Sequence, residues 1–123
     1  MTSGDLVLVA DDQAHIVRAL SFILTKAGYR TCTARDGAEA MECIRADRPR
    51  LALLDIALPE LDGREICRQV KQDPLLRDTR IILICAKGRQ SATASAATGA
   101  DALLTTPLSP TAVLEQVRQV LGA

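Results

Sequence analysis

Residues 51–63 read LALLDIALPELDG, and this stretch sets the expectation for the whole fold. It begins with an apolar run that is typical of a buried strand, and the run ends at the acidic residue Asp55. Asp62 then precedes Glu65 by three positions, which is the spacing of a capping pair at the start of a helix. A short apolar strand followed closely by a helix indicates an α/β unit whose strand joins a parallel sheet.

The same alternation of strand and helix continues along the chain. Further apolar or β-branched runs predict strands at residues 6–10, 31–34, 81–85 and 102–105. Apolar residues at helical spacing predict helices over residues 16–27 and 113–121. Asp36, three positions before Glu39, and Ser109, directly before a proline, mark two helix starts. The chain is therefore predicted to form a three-layer α/β sandwich, with a five-stranded parallel sheet covered by helices on both faces.

Length and charge restrict the class of protein. The 123 residues are expected to form one domain, residues 1–123, and 48% apolar with 24% charged residues is a globular composition. Fifteen acidic and fifteen basic residues cancel, so the chain lacks the basic excess that direct contact with nucleic acid or an anionic membrane needs. With neither a basic leader before an apolar segment nor an apolar stretch near the roughly 20 residues of a membrane span, a cytoplasmic location is expected.

The four cysteines, Cys32, Cys43, Cys67 and Cys85, include no C-x-x-C pair. Their scattered spacing is unlike a metal-binding or disulfide framework. We expect them to be small buried apolar residues, because free cysteine is among the most buried residue types.

Acidic residues follow two of the predicted strands. Asp11 and Asp12 come directly after LVLVA, and Asp55 comes directly after LALL. Because parallel strands end at the same edge of a sheet, these three carboxylates are expected to converge there. Converging negative charges are unfavourable without a cation, and oxygen-only ligands suit Mg²⁺. The alternative is that Asp11 and Asp12 only cap the next helix while Asp55 is a solvated strand end.

Four segments of the chain, taken in order, resemble the receiver domains of two-component signalling: LVLVADD, LLDIALPELDG, IILICA and GADALLTTPL. The resemblance covers nearly the whole chain and implies a flavodoxin-like fold and a signalling module, not an enzyme. It implies that Asp55 is the phospho-acceptor and that Asp11, Asp12, Asp55 and the Ala57 carbonyl hold Mg²⁺. It also implies a phospho-donor, either the phosphohistidine of a histidine kinase or histidine phosphotransfer protein or a small acyl phosphate. A downstream protein target is implied as well, and a weak homodimer is left open.

Three positions depart from the pattern of the family. Receivers usually carry Thr or Ser where this chain has Cys85, Lys where it has Thr106, and an aromatic residue where it has Leu103. A thiol is a weak hydrogen-bond donor and Thr106 carries no charge, so we expect weakened conformational switching. Lys87 could lean over the site and partly replace the missing lysine, although a free surface lysine is the simpler interpretation.

Residues 89–99, RQSATASAATG, contain no large apolar residue. Ser and Thr are poorer helix formers than Ala by several tenths of a kcal/mol, so a helix here would depend on alanine packing alone. Two interpretations stay open, an ordinary helix with a stripe of small residues and a partly unwound segment.

Two other functions compete with a phosphorylated receiver. One is a pseudo-receiver that binds a partner protein whatever the state of Asp55. The other is a small phosphatase or nucleotide-binding domain, which the sequence disfavours because it contains no glycine-rich phosphate loop and has Ala57 where a second aspartate would be needed.

Overall fold

The computed structural model describes residues 4–85 and 99–122, and its centre is a parallel five-stranded sheet in the order β2-β1-β3-β4-β5. The strands are β1 (Leu6–Ala10), β2 (Arg30–Ala34), β3 (Leu51–Asp55), β4 (Arg80–Cys85) and β5 (Ala102–Thr105). Within the described residues the helices are α1 (Ala14–Lys26), α2 (Gly37–Asp47), α3 (Gly63–Gln72) and α4 (Pro110–Leu121). The predicted α/β class is confirmed, and each predicted strand lies within one residue of its observed bounds.

Helices pack on both faces of the sheet, which produces two separate apolar cores. Alternate residues of the central strands divide between them: Leu8 faces the core that contains α2 and α3, whereas Val7 and Val9 face the core that contains α1 and α4. All three side chains are fully buried. Burying one such side chain contributes about 1.5 to 3 kcal/mol, so burial on both faces explains why β1 and β3 are apolar along almost their whole length.

Side-chain caps begin three of the helices as the sequence predicts. The Asp36 carboxylate accepts a hydrogen bond of 2.8 Å from the Glu39 backbone amide, the Asp62 carboxylate one of 2.9 Å from the Glu65 amide, and the Ser109 hydroxyl one of 3.2 Å from the Ala112 amide. Each cap satisfies an amide that has no partner inside its own helix. Gly28, which follows the cap residue Ala27 at the end of α1, has a φ of +99° and supplies the left-handed turn that leads into β2.

Asp101, in the segment GADALLTTPL, ties the start of β5 to its neighbours. Its carboxylate accepts hydrogen bonds from the Ile81 backbone amide at 2.8 Å and from the Lys71 ammonium at 3.0 Å. Lys71 also donates to the Thr79 carbonyl at 2.9 Å. One carboxylate therefore joins β4, β5 and α3 at the end of the sheet where the strands begin.

The described helices include none that is both long enough and apolar enough to cross a membrane. The predictions for Lys87 and for residues 89–98 lie outside the residues that the structure describes.

Candidate functional site

The carboxyl ends of β1 and β3 bring together the three acidic residues singled out in the sequence. Ala10 pairs with Leu54 in neighbouring strands, so the residues that follow them, Asp11 and Asp55, leave the sheet side by side. Asp11, Asp12 and Asp55 each place one carboxylate oxygen within 4.8 Å of the other two. The expected convergence of these side chains is therefore present.

Asp11 is the buried member of the cluster, with only 4% of its surface exposed. Its backbone amide donates to the Ala34 carbonyl at the end of β2, at 3.1 Å, and its carboxylate accepts from the Gln13 amide at 2.9 Å. These two bonds fix the turn between β1 and α1. The residue at the helix cap is Gln13, which makes no capping hydrogen bond through its side chain, so the Asp11 carboxylate satisfies the amide of the cap residue itself.

The surroundings of Asp11 change the pKa of its carboxyl group. Its pKa is raised from 3.8 to about 6: burial is the largest cause, the hydrogen bond from the Gln13 amide lowers the pKa, and the charges of Asp55 and Asp12 raise it. Asp12 is exposed and Asp55 is half-buried. Negative charge is thus held at a partly desolvated edge, where a bound cation would relieve the repulsion.

Asp55 is oriented by the loop that follows it. One of its carboxylate oxygens accepts a hydrogen bond of 3.1 Å from the Ala57 amide, and the Ile56 amide donates to the Ile84 carbonyl of β4 at 2.9 Å. The chain then turns so that the Gly63 amide donates to the Ile56 carbonyl at 3.0 Å. Asp55 consequently belongs to a hydrogen-bonded frame and not to a free strand end.

Two glycines allow this loop to pass close to neighbouring backbone. A Cβ atom on Gly63 would lie 2.7 Å from the Asp55 carbonyl oxygen, and one on Gly37 would lie 1.8 Å from the Leu61 carbonyl oxygen. Gly37 also donates its amide to the Pro59 carbonyl at 2.9 Å, which joins the start of α2 to the loop. The glycine after Asp62 in PELDG is therefore required by the close approach of α3 to the backbone of Asp55.

The ends of β4 and β5 complete the edge of the sheet. Cys85 is buried, with 4% of its surface exposed, and its carbonyl accepts a hydrogen bond of 3.0 Å from the Thr106 amide. Thr106 and Leu103 are both half-buried, and Leu103 packs against the core on the side of α2 and α3. Of the three substituted positions, Cys85 ends β4, the neighbour of β3, Leu103 lies in β5, and Thr106 directly follows β5.

The sequence did not reveal the supporting contacts. The amide of Gln13 and the carbonyl of Pro59 are backbone groups, so their roles carry no side-chain signal. The pairing of Cys32 with Cys43 was also missed, because the two residues lie 11 positions apart on different elements; their Sγ atoms are 3.0 Å apart. Cys67 and Cys85 are buried as expected, whereas Cys32 and Cys43 are only half-buried. The expectation that all four cysteines are small buried residues therefore holds for Cys67 and Cys85 and is wrong for Cys32 and Cys43.

Known proteins resemble this chain in sequence over most of its length. A family model described as the response regulator receiver domain matches residues 7–118. The alkaline phosphatase synthesis transcriptional regulatory protein PhoP of Bacillus subtilis is 37% identical over 116 residues, which is 94% of this chain and 48% of that protein. The chain thus spans about half the length of this curated relative.

Solved structures show the same likeness. The receiver domain of a signal transduction histidine kinase from Syntrophus aciditrophicus is 30% identical, with a TM-score of 0.88 over 96% of this chain and 90% of that chain. A chain of the CheX–CheY–BeF₃–Mg²⁺ complex from Borrelia burgdorferi is 28% identical, with a TM-score of 0.85 over 94% of this chain and 88% of that chain. The protein belongs to the response-regulator receiver family, whose members are signalling domains of two-component systems.

Proposed function

We propose that this chain is a phospho-acceptor receiver module, residues 1–123, in which Asp55 is phosphorylated in a Mg²⁺-dependent reaction. The observation that carries the proposal is the convergence of Asp11, Asp12 and Asp55 at the end of the central strands. The frame around Asp55 supports it, because a carboxylate that attacks phosphorus must be held in a defined orientation.

The chemistry assigned to Asp55 is a displacement at phosphorus. One Asp55 oxygen forms a bond to the phosphorus of an acyl phosphate or phosphohistidine, and the bond from phosphorus to the leaving group breaks. Catalysis of such a transfer consists mainly of positioning and charge neutralisation, so few side chains are needed. The Ala57 amide, which donates to a carboxylate oxygen of Asp55 at 3.1 Å, helps to hold the attacking group in place.

The donor set fits Mg²⁺. Asp11, Asp12 and Asp55 offer oxygen ligands only, the exposure of Asp12 leaves room for water, and we assign the Ala57 carbonyl as a further ligand. When bound, Mg²⁺ supplies positive charge that offsets both the cluster and the oxygens of the transferring group. A cation bound there would favour the ionised form of Asp11, whose pKa burial and the charges of Asp55 and Asp12 raise to about 6.

Switching after phosphorylation is proposed to be weak. In the family, a hydroxyl and a lysine ammonium bind the phosphoryl oxygens, and here Cys85 and Thr106 occupy those positions. Losing one charge-assisted hydrogen bond to the phosphoryl group removes roughly 1.5 to 3 kcal/mol of stabilisation. That is about one to two factors of ten in the equilibrium constant of the switch. The hydrogen bond from the Thr106 amide to the Cys85 carbonyl is compatible with the ends of β4 and β5 keeping the same relative position before and after phosphorylation. Lys87, outside the described residues, is retained as a candidate phosphate contact.

The proposed partners follow from family membership. A histidine kinase or histidine phosphotransfer protein would supply the phosphoryl group, and a protein target would read the modified surface, with a weak homodimer as a further assembly. The charge balance of zero supports protein partners over direct contact with nucleic acid. A cytoplasmic location and the absence of an enzymatic role beyond phosphoryl transfer to itself belong to the same proposal.

The pseudo-receiver remains the second candidate, and the observation in its favour is the loss of both phosphate-binding side chains at Cys85 and Thr106. Intact-mass measurement after incubation with acetyl phosphate and Mg²⁺ separates the two functions. Wild type should gain one phosphoryl group. The control variant Asp78→Asn, which removes an exposed carboxylate outside the acidic cluster, should gain one as well. Asp55→Asn should gain none. Unmodified wild type would support the pseudo-receiver instead.

A further inference from the structure

Outside the acidic cluster, two half-buried thiols meet between an edge strand and its neighbouring helix. Cys32 lies in the middle of β2, and Cys43 lies on the last part of α2. Their Sγ atoms are 3.0 Å apart, and both side chains pack against the core that contains α2 and α3. The pair is therefore a direct side-chain contact between β2 and α2.

The position of this pair follows from the secondary structure around it. On α2, Cys43 lies three residues after the buried Ala40, so it is on the helix face turned toward the sheet. Asp47 follows one turn later, with a carboxylate oxygen 3.6 Å from the Cys43 sulfur. Cys32 belongs to β2, an edge strand that pairs only with β1 in the described sheet. The two thiols are thus held in contact at the rim of the core, where solvent can reach them.

We propose that Cys32 and Cys43 form a redox-active dithiol that a small-molecule disulfide, such as oxidised glutathione, converts to an intramolecular disulfide. A disulfide requires the sulfur atoms to approach from 3.0 Å to about 2.05 Å, which is a movement of about 1 Å. Because the fold already holds the second thiol beside the first, the second exchange step is intramolecular and has a high effective concentration.

The exchange balances in two steps. One thiol of the pair loses its proton and attacks the small disulfide, forming a mixed disulfide and releasing one small thiolate, which takes up that proton. The other thiol then loses its proton and attacks the protein sulfur of the mixed disulfide, which releases the second small thiol. The protein has lost two hydrogen atoms, and the small disulfide has been reduced to two thiols.

Burial raises the pKa of both thiols, and the charge of Asp47 acts in the same direction. Thiols with a raised pKa are mostly protonated at neutral pH, so thiol–disulfide exchange is slow. The pair therefore stays reduced unless oxidising conditions are sustained. An equilibrium measurement is therefore the proper test.

The experiment equilibrates the folded protein in glutathione buffers of increasing oxidised fraction, with a chelator present, and then alkylates free thiols under denaturing conditions. Of the four cysteines, oxidised protein should keep two that react, and peptide mapping should assign them as Cys67 and Cys85. Reduction should restore four. The oxidised form should also show a higher denaturant midpoint, because the new bond closes a loop between β2 and α2.

Matched variants separate this disulfide from other chemistry. Cys43→Ser and Cys32→Ser should each keep all three of their remaining cysteines reactive under oxidising conditions. Asp47→Asn should still lose two reactive cysteines, as wild type does. Four reactive cysteines throughout the buffer series, or oxidation that appears only as intermolecular dimers or mixed disulfides with glutathione, would overturn the proposal. A second contrary outcome concerns Zn²⁺. If, without chelator, Zn²⁺ stays bound to wild type and protects both thiols but is lost from Asp47→Asn, then Cys32, Cys43 and Asp47 form a metal site and the proposal is overturned.

Discussion

Replacing Asp11 with asparagine should stabilise the protein at neutral pH when no divalent cation is present. Asp11 is 4% exposed, and its pKa is raised from 3.8 to about 6, so the ionised carboxylate is less favourable in the folded state than in the unfolded chain. Asparagine keeps an oxygen that can accept the Gln13 amide but carries no charge.

The size and sign of the effect follow from proton linkage. A shift of about two pKa units corresponds to at most about 3 kcal/mol, since one unit is about 1.4 kcal/mol. The proton that Asp11 holds in the folded state stabilises the fold fully below 3.8, and this contribution is lost as the pH rises through about 6. Wild type and Asp11→Asn should therefore have similar stability near pH 4, diverge as the pH rises toward 6, and differ by about 1 to 3 kcal/mol above it.

Urea denaturation of both proteins at several pH values, in the presence of a chelator, measures this difference directly. Asp78→Asn is the matched control, because it removes an exposed carboxylate and should show no such divergence. An Asp11→Asn protein that is no more stable than wild type at neutral pH, or a difference that is the same at both ends of the pH range, would refute the account of Asp11 as a carboxylate whose ionised form is disfavoured by burial and neighbouring charge.

Three other predictions concern the same edge of the sheet. In calorimetry, Mg²⁺ should release or absorb heat on binding to wild type but much less on binding to Asp12→Ala, and equal heats would show that the metal site is wrong. Gly63→Ala should destabilise the fold by about 1 to 3 kcal/mol in denaturant titrations, because its Cβ would lie 2.7 Å from the Asp55 carbonyl oxygen; a neutral effect would mean that the loop can shift. A Cys85→Thr, Thr106→Lys double variant should show larger amide chemical-shift changes than wild type when a beryllium fluoride mimic of the phosphoryl group is added. An equal response in wild type would contradict weakened switching.

The fold could be read from the sequence because local signals and tertiary packing agree. The apolar strands, the Asp36 cap and the Ser109 cap each mark an element by themselves, and their alternation restricts the topology to a parallel sheet. The convergence of Asp11 with Asp55 then follows, since both residues come directly after neighbouring parallel strands.

Features that depend on distances between elements could not be read in this way. The sequence places Cys32 on a strand and Cys43 on a helix, but whether their side chains meet depends on how α2 rotates against β2. The close approach of Gly37 to Leu61 is likewise a property of the packed loop. The raised pKa of Asp11 needs both the depth of burial and the neighbouring charges, which only the assembled site provides.

The central claim is that Asp55 accepts the phosphoryl group, and locating the modified residue tests it most directly. After incubation with acetyl phosphate and Mg²⁺, borohydride reduction converts an aspartyl phosphate to homoserine, which peptide mass spectrometry can place in the sequence. The account predicts homoserine at Asp55 in wild type, lost when a chelator replaces Mg²⁺ and absent from Asp55→Asn. Homoserine at another aspartate, or none in wild type under conditions that modify an active receiver run alongside, would contradict it.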